Sequence, residues 1–278
     1  ARPTKDILIE GNIWKNTYDW GGKGTCLGIA GCDSLESTVS NVKFYNNVCW
    51  NEQDMGPIIN VNCLQDFDEN PGSYEFLNNT LYAGGSIGFG VLNISTADIG
   101  TFTENDITFQ NNIVVIEPRQ VAFRFPFTID SFVSDNNTFS PLAKVSWDGN
   151  DIGLGVSNWY DATGQDFSSF ECIPTFVDVL NGDLHLDPSD GCALNFGMDL
   201  SRDIVTDIDW EGRPADNFWD IGADELSGPP SPDTTPPLRS NAAPSGTLPS
   251  GTTQTTISLT TNELATCKYS IKPGVSFD

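Results

Sequence analysis

Five segments of the chain carry one pattern: a short run in which apolar and polar residues alternate, a polar pair ending in Asn, and a second apolar run. They cover residues 7–15, 42–50, 74–82, 107–115 and 132–140. Overlaid, one column reads Ile7, Val42, Tyr74, Ile107, Phe132, and the column two places on reads Ile9, Phe44, Phe76, Phe109, Ser134. The column between them is Leu8, Lys43, Glu75, Thr108, Val133. Alternation with period two predicts a strand with one buried and one wetter face. Beyond the pair, Trp14, Cys49, Leu81, Val114 and Phe139 are apolar again, which predicts a corner and a second inward-facing strand. Further strands are expected within residues 25–29, 57–63, 86–94, 121–128 and 144–147.

The second residue of each pair, Asn12, Asn47, Asn79, Asn112 and Asn137, recurs at intervals of 35, 32, 33 and 25 residues. A period of this length predicts stacked units. Asn tolerates the left-handed backbone of a sharp bend, and its amide both donates and accepts, so corners stacked at a strand spacing of about 4.8 Å would bond along a ladder. An antiparallel sandwich also has Asn-rich corners, but its hairpins do not require Asn at every repeat. The pattern resembles the right-handed parallel β-helix of the pectate-lyase-like superfamily, in which such asparagine ladders occur. The expected fold is therefore all-β, a parallel solenoid over residues 1–226.

A second resemblance lies farther along. The pieces Pro174-Thr175-Phe176-Val177-Asp178, Gly182-Asp183-Leu184-His185-Leu186, Asp190–Gly197 and Asp207–Pro214, then Asp220-Ile221-Gly222-Ala223-Asp224-Glu225, are similar to the closing coils of secreted bacterial β-helix proteins. This implies that the helix ends near Glu225, with its aspartates making turns and caps. Residues 227–237 are a Pro-rich linker. Residues 238–278 hold two β-type runs and resemble the first part of an immunoglobulin-like or fibronectin-like sandwich, too short for the ~100 residues a complete one needs. No capping element precedes the first strand, so either more sequence comes before it or something else covers the first coil.

Charge narrows the partners. With 13 basic and 38 acidic residues the net charge is −25, which disfavours nucleic acid and anionic lipid. No apolar run reaches the ~20 residues of a membrane span. Seven cysteines without a zinc spacing, and the sequons at Asn78, Asn93 and Asn136, point to a secreted protein in an oxidising compartment. Cys26 with Cys32, Cys49 with Cys63, and Cys172 with Cys192 are the expected disulfides. Asn78 and Asn136 precede the ladder position and are expected on the outer surface, accessible to a glycan.

Catalytic signals are sparse. Polysaccharide lyases of the resembled fold use a Lys or Arg base with calcium, and the basic residues that could serve are Arg119, Arg124 and Lys144. No Asp-Asp pair matches the related hydrolases. Asp66, Asp68 and Glu69 form the acidic loop best suited to calcium, although without EF-hand spacing. His185 is the lone imidazole, expected to face outward with no nucleophile beside it. Trp20, Tyr45 and Trp50 are the aromatics expected to stack on sugar rings, whereas Trp14 belongs to the core column. These features predict a secreted structural or adhesive protein, glycosylated and joining end to end into fibres. The alternative is a polysaccharide lyase or polysaccharide-binding module whose catalytic part is incomplete here.

Overall fold

The computed structural model describes residues 4–16, 24–29, 39–54, 56–61, 73–94, 107–125, 131–226 and 239–261. The chain divides into two compact units, Ala1–Gly228 and Pro229–Asp278.

The first unit is a parallel β-solenoid with three strands per coil. The first coil contains β1 (Thr4–Glu10), β2 (Ile13–Lys15) and β3 (Leu27–Ile29), and the second β4 (Val39–Tyr45), β5 (Val48–Asn51) and β6 (Ile59–Val61). The third has β7 (Tyr74–Leu77), β8 (Thr80–Ala83) and β9 (Leu92–Ile94), the fourth β10 (Ile107–Gln110), β11 (Ile113–Ile116) and β12 (Val121–Arg124), and the fifth β13 (Phe132–Asp135), β14 (Thr138–Phe139) and β15 (Lys144–Trp147). Sheet one is ordered β1-β4-β7-β10-β13, and the registers Ile7↔Val42↔Tyr74↔Ile107↔Phe132 follow the columns of the sequence overlay. In sheet two, Trp14, Cys49, Leu81, Val114 and Phe139 pair in the same way.

The corners divide their work between two residues. Positive φ belongs to the first of each pair, Gly11, Asn46, Asn78, Asn111 and Asn136, and the second makes the ladder. Asn12 Nδ2 donates to Asn47 Oδ1 (3.1 Å), Asn47 to Asn79 (3.2 Å), Asn79 to Asn112 (2.9 Å) and Asn112 to Asn137 (3.2 Å). Each acceptor oxygen also takes the backbone N–H of the preceding rung. The ladder ends on Asp166, which accepts from Asn137 Nδ2 at 2.9 Å.

Beside the ladder runs the aromatic file Trp14, Phe44, Phe76, Phe109, with centroids 5.6–6.3 Å apart. The last coil is covered by β16 (Asn150–Leu154), antiparallel to β15, and by α1 (Val156–Thr163). Trp159 of α1 is buried against Phe123, Phe132 and Trp147. After β17 (Phe170–Glu171), which pairs with β14, the parallel stack stops.

Residues 173–226 do not form closing coils. They make a strap over the outer face of sheet two, with the small antiparallel pair β18 (Phe176–Asp178) and β19 (Asp183–Leu186) as its regular part. Outward residues of sheet two, Val48, Trp50, Ile113 and Val115, pack on Phe176, Leu184, Leu186, Ile208 and Ile221 of the strap. Both faces of this sheet are therefore apolar, which accounts for the unbroken run Ile113–Ile116. The strap travels along the stack and doubles back. Asn181 O accepts from Lys15 in the first coil, Met198 bonds Asn111 in the fourth, Thr206 O accepts from Asn46 in the second, and Gly222 N–H donates to Asn111 O.

In the second unit, β20 (Arg239–Ala243) and β21 (Ser258–Thr261) form an antiparallel pair.

Candidate functional site

Two grooves on the first unit bring functional side chains together. The first lies at the helix-covered end. Helix α1 turns Trp159 into the core, and its neighbour Tyr160 therefore faces out. Gly164 at φ 74° ends the helix, its N–H donating to Tyr160 O. The chain then passes back under the helix, so that Phe167, 74 % exposed, stands 5.5 Å from the Tyr160 ring. Phe170 packs edge-on to exposed Phe196 of the strap, 5.4 Å away. Ser157, Ser169 and Glu171 complete an open groove of about 390 Å³. Beneath it Asp166 is fully buried and accepts from Trp159 Nε1 (2.7 Å), Asn137 Nδ2 and Ser169 Oγ (2.6 Å). Burial pushes its carboxyl above the ordinary value against the pull of these bonds.

The second groove, about 200 Å³, lies where the strap meets the first two coils and is lined by Ile13, Lys15, Val48, Gly182, Asp183 and His185. On β19, Asp183 and His185 project to the same side, two residues apart. Asp183 Oδ1 contacts His185 Nδ1 at 2.5 Å, and Asp209 Oδ2 lies 3.1 Å from Nε2. Asp224, buried nearby, accepts from Leu186 N–H at 2.7 Å. Burial lowers the His185 pKa, but the Asp183 bond and the charges of Asp224 and Asp209 outweigh it, so the net shift is upward. Burial likewise drives the Asp224 carboxyl up to about 6.

No protein-family model, curated protein or solved structure matches this chain.

The residues singled out from sequence fall into three groups. Tyr45 and Trp50, expected as sugar platforms, are 2 % and 7 % exposed because the strap lies over them. Trp20, the loop Asp66, Asp68, Glu69 with its expected calcium, and Cys32 and Cys63 lie outside the described residues. The basic trio stays dispersed in its bonding: Lys144 pairs with Asp151 at 3.3 Å, Arg124 donates to Asn93 and lies over Phe89, and Arg119 is exposed at a turn.

The sequons and disulfides need correction. Asn78 is not on the outer surface but wholly buried, its amide donating to Asp220 O and Gly222 O of the strap. Asn93 is also buried, donating to Asn60, while Asn136 stays partly exposed. Cys26 is bonded to Cys49, not to Cys32, which also separates Cys49 from Cys63. Coiling brings the start of β3 over β5, so nearness along the chain is a poor guide to nearness in space. Cys172 is joined to Cys192.

Sequence reasoning missed both grooves. The exposed aromatics Tyr160, Phe167 and Phe196 lie outside the repeat, and only the density of aromatics in residues 159–170 hints at a platform. The His185 cluster draws on one short strand and two stretches of irregular chain; its single local signal is the Asp183-x-His185 spacing on that strand.

Proposed function

We propose that this chain is a secreted extracellular adhesive scaffold, a β-solenoid of the pectate-lyase-like kind that meets polysaccharide through the aromatic groove at its helix-covered end. The observation that carries the reading is the array of Tyr160, Phe167, Phe170 and Phe196 beside Ser157, Ser169 and Glu171. Aromatic faces accept the apolar C–H surface of sugar rings, and hydroxyl and carboxylate groups at the rim bond sugar hydroxyls. Two disulfides and a continuous amide ladder stiffen the platform and suit an oxidising compartment. A net charge of −25 favours neutral or amino sugars over uronates. The second unit is read as the start of an immunoglobulin-like or fibronectin-like module. Helix α1 covers the last coil and closes that end to coil-on-coil association.

Calorimetric titration with neutral, amino-sugar and uronate oligosaccharides tests this reading. Binding of a neutral or amino sugar that weakens at least tenfold in Tyr160→Ala and Phe167→Ala supports it. Unsaturated products released from an acidic polysaccharide, with binding unaffected by those variants, would favour the lyase.

A further inference from the structure

We propose that His185, Asp209 and Asp224 bind a divalent transition cation of the zinc class, at a site made entirely by the strap. One ligand atom from each residue lies within 4.8 Å of the other two. The His185 Nε2 to Asp209 Oδ2 distance is 3.1 Å. Nitrogen and oxygen ligands at bond lengths of about 2.0–2.2 Å, subtending an angle near 90–110°, stand about 3 Å apart, so the His185–Asp209 pair already has ligand separation, and Asp224, within 4.8 Å of both, completes the set by closing on the ion.

The second coordination layer is already in place. Asp183 holds Nδ1, which leaves the Nε2 lone pair pointing toward Asp209 and Asp224; an imidazole braced this way by a carboxylate is the usual arrangement of a metal-binding histidine. Independently, Nε2 is a buried atom with no hydrogen-bond partner. Asp209 is near enough, but its approach lacks hydrogen-bond geometry, so the contact leaves the nitrogen unsatisfied. Asp224 is braced as well, through the Leu186 N–H on one of its oxygens.

The donor set indicates the cation. Imidazole with two carboxylates suits zinc and its first-row neighbours, whereas calcium and magnesium prefer all-oxygen sites. Three protein ligands leave a coordination position open, and His185 lines the groove of about 200 Å³, where water or a small ligand would complete the shell. The three ligands sit on β19, on the turn at residues 207–209 and near the end of the strap, so one ion would tie these segments together.

Calorimetric titration and thermal unfolding of the full chain with zinc, using calcium and magnesium as comparisons, test the proposal. The expected result is one zinc per chain and a melting temperature that rises with zinc. His185→Ala and Asp209→Asn should abolish both effects, and Asp183→Asn should weaken affinity about 10–100-fold. Asp209 is largely exposed, so Asp209→Asn is expected to keep the native circular dichroism and remains informative should the His185 variant misfold. Failure of the native chain to bind zinc overturns the proposal, as does zinc binding that persists undiminished in folded Asp209→Asn. Calcium binding as tight as zinc also overturns it.

Discussion

Arg213 Nη1 donates to Glu225 Oε2 at 2.8 Å, and neither side chain reaches solvent. The guanidinium also donates to Gly222 O, while the carboxylate accepts from the N–H groups of Ala215 and Asp220. The pair thus gathers the far end of the strap around one buried charge centre.

Removing one partner strands the other. Arg213→Met is expected to cost about 3–5 kcal/mol of folding free energy, measured by urea denaturation. Arg213→Met with Glu225→Leu should be less destabilised than Arg213→Met alone, because the Glu225 carboxylate is no longer left buried without its guanidinium.

Mid-ladder and end-ladder amides should differ. Asn79 donates to Phe44 O and Asn112 Oδ1 and accepts from the backbone and side chain of Asn47. Asn79→Ala leaves these groups buried without partners, a loss of about 3 kcal/mol or more. Asn12 is exposed, and Asn12→Ala should cost under about 1 kcal/mol in the same denaturation measurement.

Acidity should help this protein. Burial, aided by Glu225, raises the Asp220 carboxyl from 3.8 to about 7. Below 3.8 the group is protonated folded or unfolded; between 3.8 and about 7 only the folded chain holds the proton. Stability attributable to Asp220 therefore falls as pH rises through that window, by about 1.4 kcal/mol per pH unit at most. Thermal unfolding from pH 4 to 8 should show the trend, and Asp220→Asn should flatten it.

Glycan occupancy should follow burial. Produced in a glycosylating host, the chain is expected to carry sugar at Asn136 and none at Asn78, whose amide is bound under the strap. Site-resolved mass spectrometry checks this; full occupancy of Asn78 in folded protein would mean the strap does not lie there.

The repeat was legible because parallel stacking puts residues one period apart in direct contact, so that Phe44, Phe76 and Phe109 share a column in sequence and in space. The strap was not. Its residues follow no period, and their packing on Trp50 and Ile113 depends on a face that alternation alone marks as wet. Two differences from the sequence expectation have this one origin: Asn78 lies buried rather than outward, and Tyr45 and Trp50 are covered rather than open to sugar. The final aspartates do make the expected turns, Asp190 accepting from Ala193 N–H and Asp207 from Glu211 N–H, but Asp207 and Asp220 also sit buried beside Arg213, and Asp224 faces His185. The Cys26–Cys49 bond was hidden for a related reason, since coiling joins residues 23 apart in the chain.

Repeat arrays ordinarily melt piecemeal, because each unit touches only its neighbours. Here residues 181–222 reach coils one to four, so the array should denature as one all-or-none body. Synthesis runs the other way. At about 5–20 residues per second, Trp50 emerges several seconds before Leu184 arrives to cover it, and for that interval the nascent chain bears a bare greasy flank on which chaperones or like chains could settle.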